Sequence, residues 1–147
     1  MYRNILVPTD GSRWSDRAVK EAAMLAKASG GKLLLFHTVP PYQMPIYSEG
    51  MTVRVPSIET IRKDTARKAR KALAAAERRA KAAGVPVAAE FAVSAYPHEA
   101  IIATAKKRRC DLIVMASHGR TGLSRFLLGS VAQAVLGRAD VPVLVVK

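Results

Sequence analysis

Short apolar runs alternate with longer segments of helical period along the whole chain. Runs rich in Val, Ile and Leu predict five strands, at 3–8, 32–39, 85–93, 111–117 and 141–147. Small and apolar residues recur every three or four positions between them, which predicts helices over 12–29, 57–83, 97–109 and within 127–139. This alternation is typical of βαβ units, so we expect an open parallel sheet covered by helices on both faces.

One connection is unusually long for a compact domain. Residues Pro40 to Ser57, "PPYQMPIYSEGMTVRVPS", show neither strand nor helix periodicity. Connections of this length are usually lids, binding loops or disordered segments. We therefore expect this loop to be the part of the molecule that moves.

Composition is consistent with one soluble domain spanning residues 1–147. Half of the residues are hydrophobic, and the single cysteine, Cys110, excludes an internal disulfide framework or a multi-cysteine metal site. The N-terminus lacks the apolar core of a signal peptide, and no apolar run is long enough to cross a bilayer. We expect a cytoplasmic protein without membrane association.

The net charge of +13 raises the alternative of a nucleic-acid partner. Between Arg62 and Lys81, however, nine basic residues face only two acidic ones, so much of the excess lies on one predicted helix. No stacking aromatics interleave with these charges. A solvated helix face is the favoured interpretation, and a nucleic-acid partner is expected to be absent.

Chemically versatile residues follow two of the predicted strands. Pro8, Thr9 and Asp10 end the first strand, and "ASHG", residues 116–119, ends the fourth. Ligands of open parallel sheets bind beyond the carboxyl ends of the strands, where the strand order reverses. If these two strands are neighbours, both turns face one crevice. Thr38, at the end of the second strand, would then form one wall of that crevice.

The fourth strand leads towards a pattern suited to phosphate. Gly119 permits close backbone approach, and Gly129 and Ser130 stand where the last helix begins, with free amides and the positive end of the helix dipole. Arg120 and Arg125 are candidate counter-charges, and Asp10 could accept hydrogen bonds from ribose or help to hold a cation bound to phosphates. The lysine of a Walker phosphate-binding loop is absent. The alternative interpretation, that these glycines form only a plain turn and an ordinary helix start, remains open.

These residues resemble the universal stress protein family, in its ATP-binding subgroup. The family motif G-x2-G-x9-G-[ST] is matched at Gly119, Gly129 and Ser130, whereas Ala116 replaces its first glycine. "ILVPTDGS" near the N-terminus and the closing "ADVPVLVVK" are also typical, so the likeness covers nearly the whole chain.

The resemblance implies a Rossmann-like, three-layer α/β/α fold with strand order 3-2-1-4-5. It implies a cytoplasmic stress-response regulator that binds ATP, AMP or another adenine nucleotide, with Mg²⁺ or Mn²⁺ at the phosphates and Asp10. It also implies a homodimer formed through residues 143–147. The nucleotide-binding residues it implies are Pro8, Thr9, Asp10, Thr38, Ala116, His118, Gly119, Arg120, Gly129, Ser130 and Val131.

Beside the nucleic-acid alternative, two other functions stay open at this level. A nucleotide-free interaction module would follow if Ala116 marked a lost site. A slow ATP hydrolase is a further alternative, although the sequence offers no recognisable general base for ATP hydrolysis. The chain also shows no Ser-His-Asp order and no HExxH motif. His37, His98 and His118 show no metal-ligand spacing, and His37 is expected to be a packed core residue.

Overall fold

The computed structural model describes residues 1–119 and 127–147. Strands and helices alternate strictly along the chain. The strands are β1 Asn4–Pro8, β2 Lys32–Val39, β3 Val87–Val93, β4 Leu112–Ala116 and β5 Val143–Val146. The helices are α1 Arg13–Ser29, α2 Ile58–Ala82, α3 Pro97–Lys107 and α4 Ser130–Arg138.

All strand pairs are parallel, and the sheet has the order β3-β2-β1-β4-β5. Leu6 of β1 pairs with Leu34 of β2 on one side and with Ile113 of β4 on the other. The chain therefore winds outwards in both directions from β1, and the strand order reverses between β1 and β4. The predicted fold class and strand order are confirmed.

The sheet has a separate core on each face. Ile5 and Val7 pack with α1 and α2, whereas Leu6, which points the other way, packs with α3 and α4. Side chains alternate across a strand, so both sets must be apolar when helices cover both faces. This explains why the central strands are continuous apolar runs.

Local signals set the ends of the helices. Ser12 caps α1, with its hydroxyl accepting a hydrogen bond from the Ser15 amide at 3.2 Å, and Ser57 caps α2 in the same way. Helix α1 ends at Gly30, whose φ of 63° is the left-handed conformation that glycine adopts without strain. Capping thus places the N-terminus of α1 directly after the turn that follows β1.

The long connection and the basic helix lie at the surface. Residues 40–57 carry no helix or strand and are mostly exposed, as expected from their pattern. The basic side chains of α2 lie opposite its buried alanine face, and Arg67 and Arg79 pair with Asp64 and Asp16. None of the helices in the described ranges is long and apolar enough to cross a membrane.

Cys110 lies just before β4 and is buried, with 5 % of its surface exposed. Burial, reinforced by the neighbouring Asp111 carboxylate, raises the pKa of the Cys110 thiol from 9.0 to about 11. The setting therefore disfavours a thiolate, as the sequence context predicts. A nucleophilic role for Cys110 near neutral pH is therefore disfavoured.

A pH dependence of stability follows from that shift. Between pH 9 and 11 the unfolded chain releases the Cys110 proton, whereas the folded chain retains it. The stability that the protonated thiol contributes to the folded state is therefore fully present below pH 9 and is lost as the pH rises towards 11. We expect the free energy of unfolding, measured with urea, to fall between pH 8 and pH 10.5 by roughly 2 kcal/mol more in wild type than in Cys110→Ala. Equal losses in the two proteins would contradict the assignment.

Candidate functional site

The turn after β1 is held in place by its own side chains. The Thr9 amide donates to the Phe36 carbonyl at 2.8 Å, which continues the β1–β2 pairing beyond the strand. The Asp10 carboxylate accepts a hydrogen bond from the Ser12 amide at 2.9 Å, and Gly11 adopts a φ of 76°. These contacts place the Asp10 side chain at the edge of the sheet formed by the C-terminal ends of the strands.

The turn after β4 is tied to the start of α4. The Ser117 amide donates to the Val146 carbonyl at 2.8 Å, and the Ser117 carbonyl accepts from the Gly129 amide at 2.7 Å. One buried residue therefore links β4, β5 and the N-terminus of α4. The Ser117 hydroxyl also lies 2.9 Å from Nδ1 of His118, which orients the imidazole ring.

Two glycines allow these turns to approach each other. A Cβ at Gly119 would lie 2.9 Å from Oδ2 of Asp10, and one at Gly129 would lie 3.0 Å from the Ser117 carbonyl oxygen. Real Cβ atoms rarely make such contacts, so both positions require glycine or a shift of the neighbour. The two turns therefore face one crevice, as the sequence predicts for adjacent strands 1 and 4.

Helix α4 directs its N-terminus into this crevice. Gly129 is its N-cap and has no side chain to accept a hydrogen bond from the first turn. The amides of Ser130, Val131 and Ala132 have no acceptor within the helix, since the first turn of any α-helix lacks one. These amides and the helix dipole make this end of α4 suited to an anion.

The crevice is a cavity of about 570 Å³, which we call the nucleotide cavity after the ligand class expected for it. The structure places ten of the predicted site residues around it: Pro8, Thr9, Asp10, Thr38, Ala116, His118, Gly119, Gly129, Ser130 and Val131. Arg120, and with it Arg125, lies outside the described residues. Contacts of these residues with a ligand stay a prediction.

The cavity also has walls that the motifs do not reveal. These residues are Ser15, Phe36, His37, Pro40, Pro97, Ile101, Met115, Ser117 and Ala132. His37, expected to be a core residue, is only half-buried; its Nδ1 donates to the Thr9 carbonyl at 2.8 Å. These residues come from five elements and their connections, so only the folded chain brings them together.

A second cavity, of about 690 Å³, adjoins the first. We call it the basic cavity; it is lined by Arg13, Trp14, Arg17, Ser117, His118, Leu127, Leu128 and Lys147. Its α1 residues are not part of any motif. The helical spacing of Trp14 with Ala18 and Ala22 is typical of a buried stripe, yet Trp14 is only half-buried and faces this cavity.

The family model for universal stress proteins matches residues 1–147. The chain belongs to the universal stress protein family. Universal stress protein MJ0531 of Methanocaldococcus jannaschii is 37% identical over 150 residues, covering 100% of this chain and 83% of the relative. A universal stress protein of Thermus aquaticus is 33% identical over 151 residues, covering 100% of both chains.

Solved structures show the same fold. A universal stress protein in complex with cAMP superposes with a TM-score of 0.73 at 33% identity, covering 99% of this universal stress protein and 97% of that chain. The structure of MJ0577 from M. jannaschii gives a TM-score of 0.76 at 28% identity, covering 100% of this chain and 96% of that chain. The resemblance in the sequence is thereby confirmed at the level of family and fold.

Proposed function

We propose that this universal stress protein binds an adenine nucleotide in the nucleotide cavity. One observation carries the proposal: Gly119 and Gly129 let the turns after β1 and β4 close around a crevice that is lined by the first turn of α4. Such an end of a helix binds phosphate without a lysine. The complex of a 33% identical relative with cAMP supports an adenine nucleotide as the ligand class.

The lining residues divide naturally along a nucleotide. The base would lie against Phe36, Thr38 and Ile101, where the cavity walls are mostly apolar and the backbone of β2 can meet the adenine edge. The ribose would lie at the Asp10 carboxylate, beside Ala116. The phosphates would lie at Gly129, Ser130 and Val131, with the Ser130 hydroxyl as an added donor.

A divalent cation would need oxygen ligands beyond those of the protein. Asp10 supplies the single carboxylate among the described residues that line the nucleotide cavity. Within residues 1–119 and 127–147 no group of three or more His, Cys, Asp and Glu is placed to hold a metal ion. Mg²⁺ or Mn²⁺ would therefore bind chiefly through the phosphates, with Asp10 as the protein ligand.

Calorimetric titration with AMP in EDTA and with ATP in the presence and absence of Mg²⁺ tests the proposal. We expect one saturable site per chain, and a roughly tenfold weaker affinity for AMP in Asp10→Asn, because a charged acceptor for the ribose hydroxyls is lost. A further loss specific to ATP with Mg²⁺ would assign Asp10 to the cation. Asp140→Asn, an exposed carboxylate, is the matched control.

Failure of both nucleotides to bind at millimolar concentration would overturn the proposal. It would favour the nucleotide-free interaction module, with the Ala116 methyl group in the position of the family's glycine. Equal affinities in Asp10→Asn and Asp140→Asn would remove Asp10 from the site while leaving the rest of the assignment in place.

We further propose that the protein is a cytoplasmic stress-response regulator and a homodimer formed through β5. Strand β5 is an edge of the sheet, and its Leu144 side chain is 40 % exposed. An apolar edge strand is prone to pair with another chain. Light scattering should give a mass of twice 15.9 kDa, and a monomer at micromolar concentration would contradict the dimer.

A regulator also needs a part that responds to the ligand. The loop of residues 40–57 begins at Pro40, which lines the nucleotide cavity. A ligand that contacts the first residue of an exposed loop can favour one loop conformation over another. Nucleotide-dependent protection of this loop from proteolysis is the expected sign of such coupling.

A further inference from the structure

The basic cavity continues the nucleotide cavity on the side of α1. Ser117 and His118 line both cavities, so the two meet at the end of β4. The nucleotide cavity alone, at about 570 Å³, lies within the range of roughly 300–1,000 Å³ that small-molecule ligands occupy. A mononucleotide therefore leaves the basic cavity, which is the larger of the two, without an occupant.

The charges around the basic cavity have one sign. Arg13, Arg17 and Lys147 contribute three cations, and no Asp or Glu is among the described residues that line it. Within residues 1–119 and 127–147, neither arginine has an acidic side chain within 4.0 Å, and Nη1 of Arg17 donates a long hydrogen bond of 3.5 Å to the Lys147 main-chain oxygen. Such a cavity favours an anionic ligand, and guanidinium groups are especially suited to phosphate.

The remaining walls favour a planar, apolar body. Trp14 is close to both arginines, whose Cζ atoms are 5.2 and 5.4 Å from the centroid of its ring system. Its ring is also 5.9 Å from that of His118, and Leu127 and Leu128 complete the lining. A bare phosphate gains little from an indole and two leucines, whereas a nucleobase stacks on such a surface.

One polar atom at the junction of the cavities is unsatisfied. Nε2 of His118 is buried and has no hydrogen-bond partner in the part of the chain that the structure describes. Its other nitrogen, Nδ1, is already engaged with the Ser117 hydroxyl at 2.9 Å. Buried polar atoms are almost always paired in folded proteins, so an oxygen atom of a ligand crossing this junction is a natural partner.

We propose that the two cavities together bind a dinucleoside polyphosphate. One adenosine occupies the nucleotide cavity, the phosphate chain passes Ser130 and His118 to reach Arg13 and Arg17, and the second base stacks against Trp14. This inference rests on the proposed binding of an adenine nucleotide and extends it to the ligand class. ATP would fill the first cavity and extend only its terminal phosphate towards the arginines.

The protein contains its own probe for the second site. Trp14 is the single tryptophan of the chain and lines the basic cavity, so its fluorescence reports occupancy of that cavity. We expect diadenosine tetraphosphate to quench Trp14 and to bind about tenfold or more tightly than ATP, because a base stacked on an aromatic ring adds affinity. AMP should bind, as measured by calorimetry, with little change in Trp14 fluorescence.

Charge removal separates the two sites. Arg13→Gln with Arg17→Gln should weaken binding of diadenosine tetraphosphate about tenfold or more, because its phosphates lose two guanidinium partners, while changing the affinity for AMP by less than about twofold. Lys20→Gln with Lys27→Gln removes the same charge from exposed positions of the same helix and should have little effect on either ligand. Unchanged AMP binding also shows that the arginine variant is folded.

Three outcomes would overturn the inference. Diadenosine tetraphosphate binding no more tightly than ATP would show that the second nucleoside has no site. Equal weakening of AMP and the dinucleotide in the arginine variant would show that the cavities are not separate sites. Absence of binding by every nucleotide would refute the proposed function as well, whereas AMP binding without a dinucleotide advantage refutes this inference alone.

Discussion

Gly129→Glu should reduce nucleotide affinity by at least about 100-fold, because the side chain destroys the steric fit and its carboxylate adds a negative charge where phosphate is proposed to bind. A Cβ at this position would lie 3.0 Å from the Ser117 carbonyl oxygen, in the contact that joins β4 to α4. The added carboxylate would also lie at the amides proposed to hold phosphate, where two negative charges repel. Calorimetric titration with AMP and ATP measures the effect.

The chain offers a matched control for this change within the same helix. Gly137 also lies in α4, and a Cβ there would meet nothing within 4 Å. Gly137→Glu should therefore retain nucleotide binding, and Gly129→Ala should show how much of the loss is steric alone. Binding by Gly129→Glu within threefold of wild type would remove this end of α4 from the site.

Leu144→Lys is expected to convert the proposed dimer to a monomer, raising the dissociation constant about 100-fold, because an ammonium group would be buried at the pairing edge. Leu144 lies on β5, one edge of the sheet, and is 40 % exposed in the single chain. Light scattering or sedimentation over a range of protein concentrations measures the change in mass.

The opposite edge of the sheet provides the comparison. Phe91 lies on β3 and is 41 % exposed, so Phe91→Lys places the same charge on the other edge with similar initial exposure. We expect Phe91→Lys to remain dimeric. A dimer that survives Leu144→Lys but not Phe91→Lys would place the interface at β3 instead.

The proposed nucleotide site and the proposed dimer interface are joined by the same short segment. The Ser117 amide donates to the Val146 carbonyl of β5, and the Ser117 carbonyl accepts from Gly129. A displacement of β5 would therefore also displace Ser117 and the N-terminus of α4. Comparing nucleotide affinity in wild type and Leu144→Lys would measure any coupling between the two sites as a ratio of dissociation constants.

The order of the elements could be predicted because each depends on local pattern. Continuous apolar runs mark strands covered on both faces, and Ser12, Ser57 and Gly30 mark helix ends by the hydrogen bonds and dihedral angles that those residue types favour. The turns after β1 and β4 could be singled out as a site because parallel strands present their carboxyl ends at one edge. The strand order 3-2-1-4-5 came from the family resemblance and agrees with the structure.

The walls of the cavities could not be predicted in this way. His37 has the pattern of a core residue, yet it bonds to the Thr9 carbonyl at the rim of the nucleotide cavity. Trp14 has the spacing of a buried helical stripe, yet it lies close to two arginines in the lining of the basic cavity. Periodicity indicates which face of an element is apolar, but not where that face extends past the edge of the sheet.

The sequence by itself thus determined the elements and the two glycine turns, because backbone propensity and short motifs act over a few residues, whereas the expected ligand class came from the family resemblance. Only the tertiary structure decided that Gly119 lies against Asp10 and that Trp14 meets His118. These pairs are separated by about 100 residues along the chain, and their approach depends on how four helices pack on a twisted sheet. Packing of that kind is a property of the whole core and leaves no local signature in the residues it brings together.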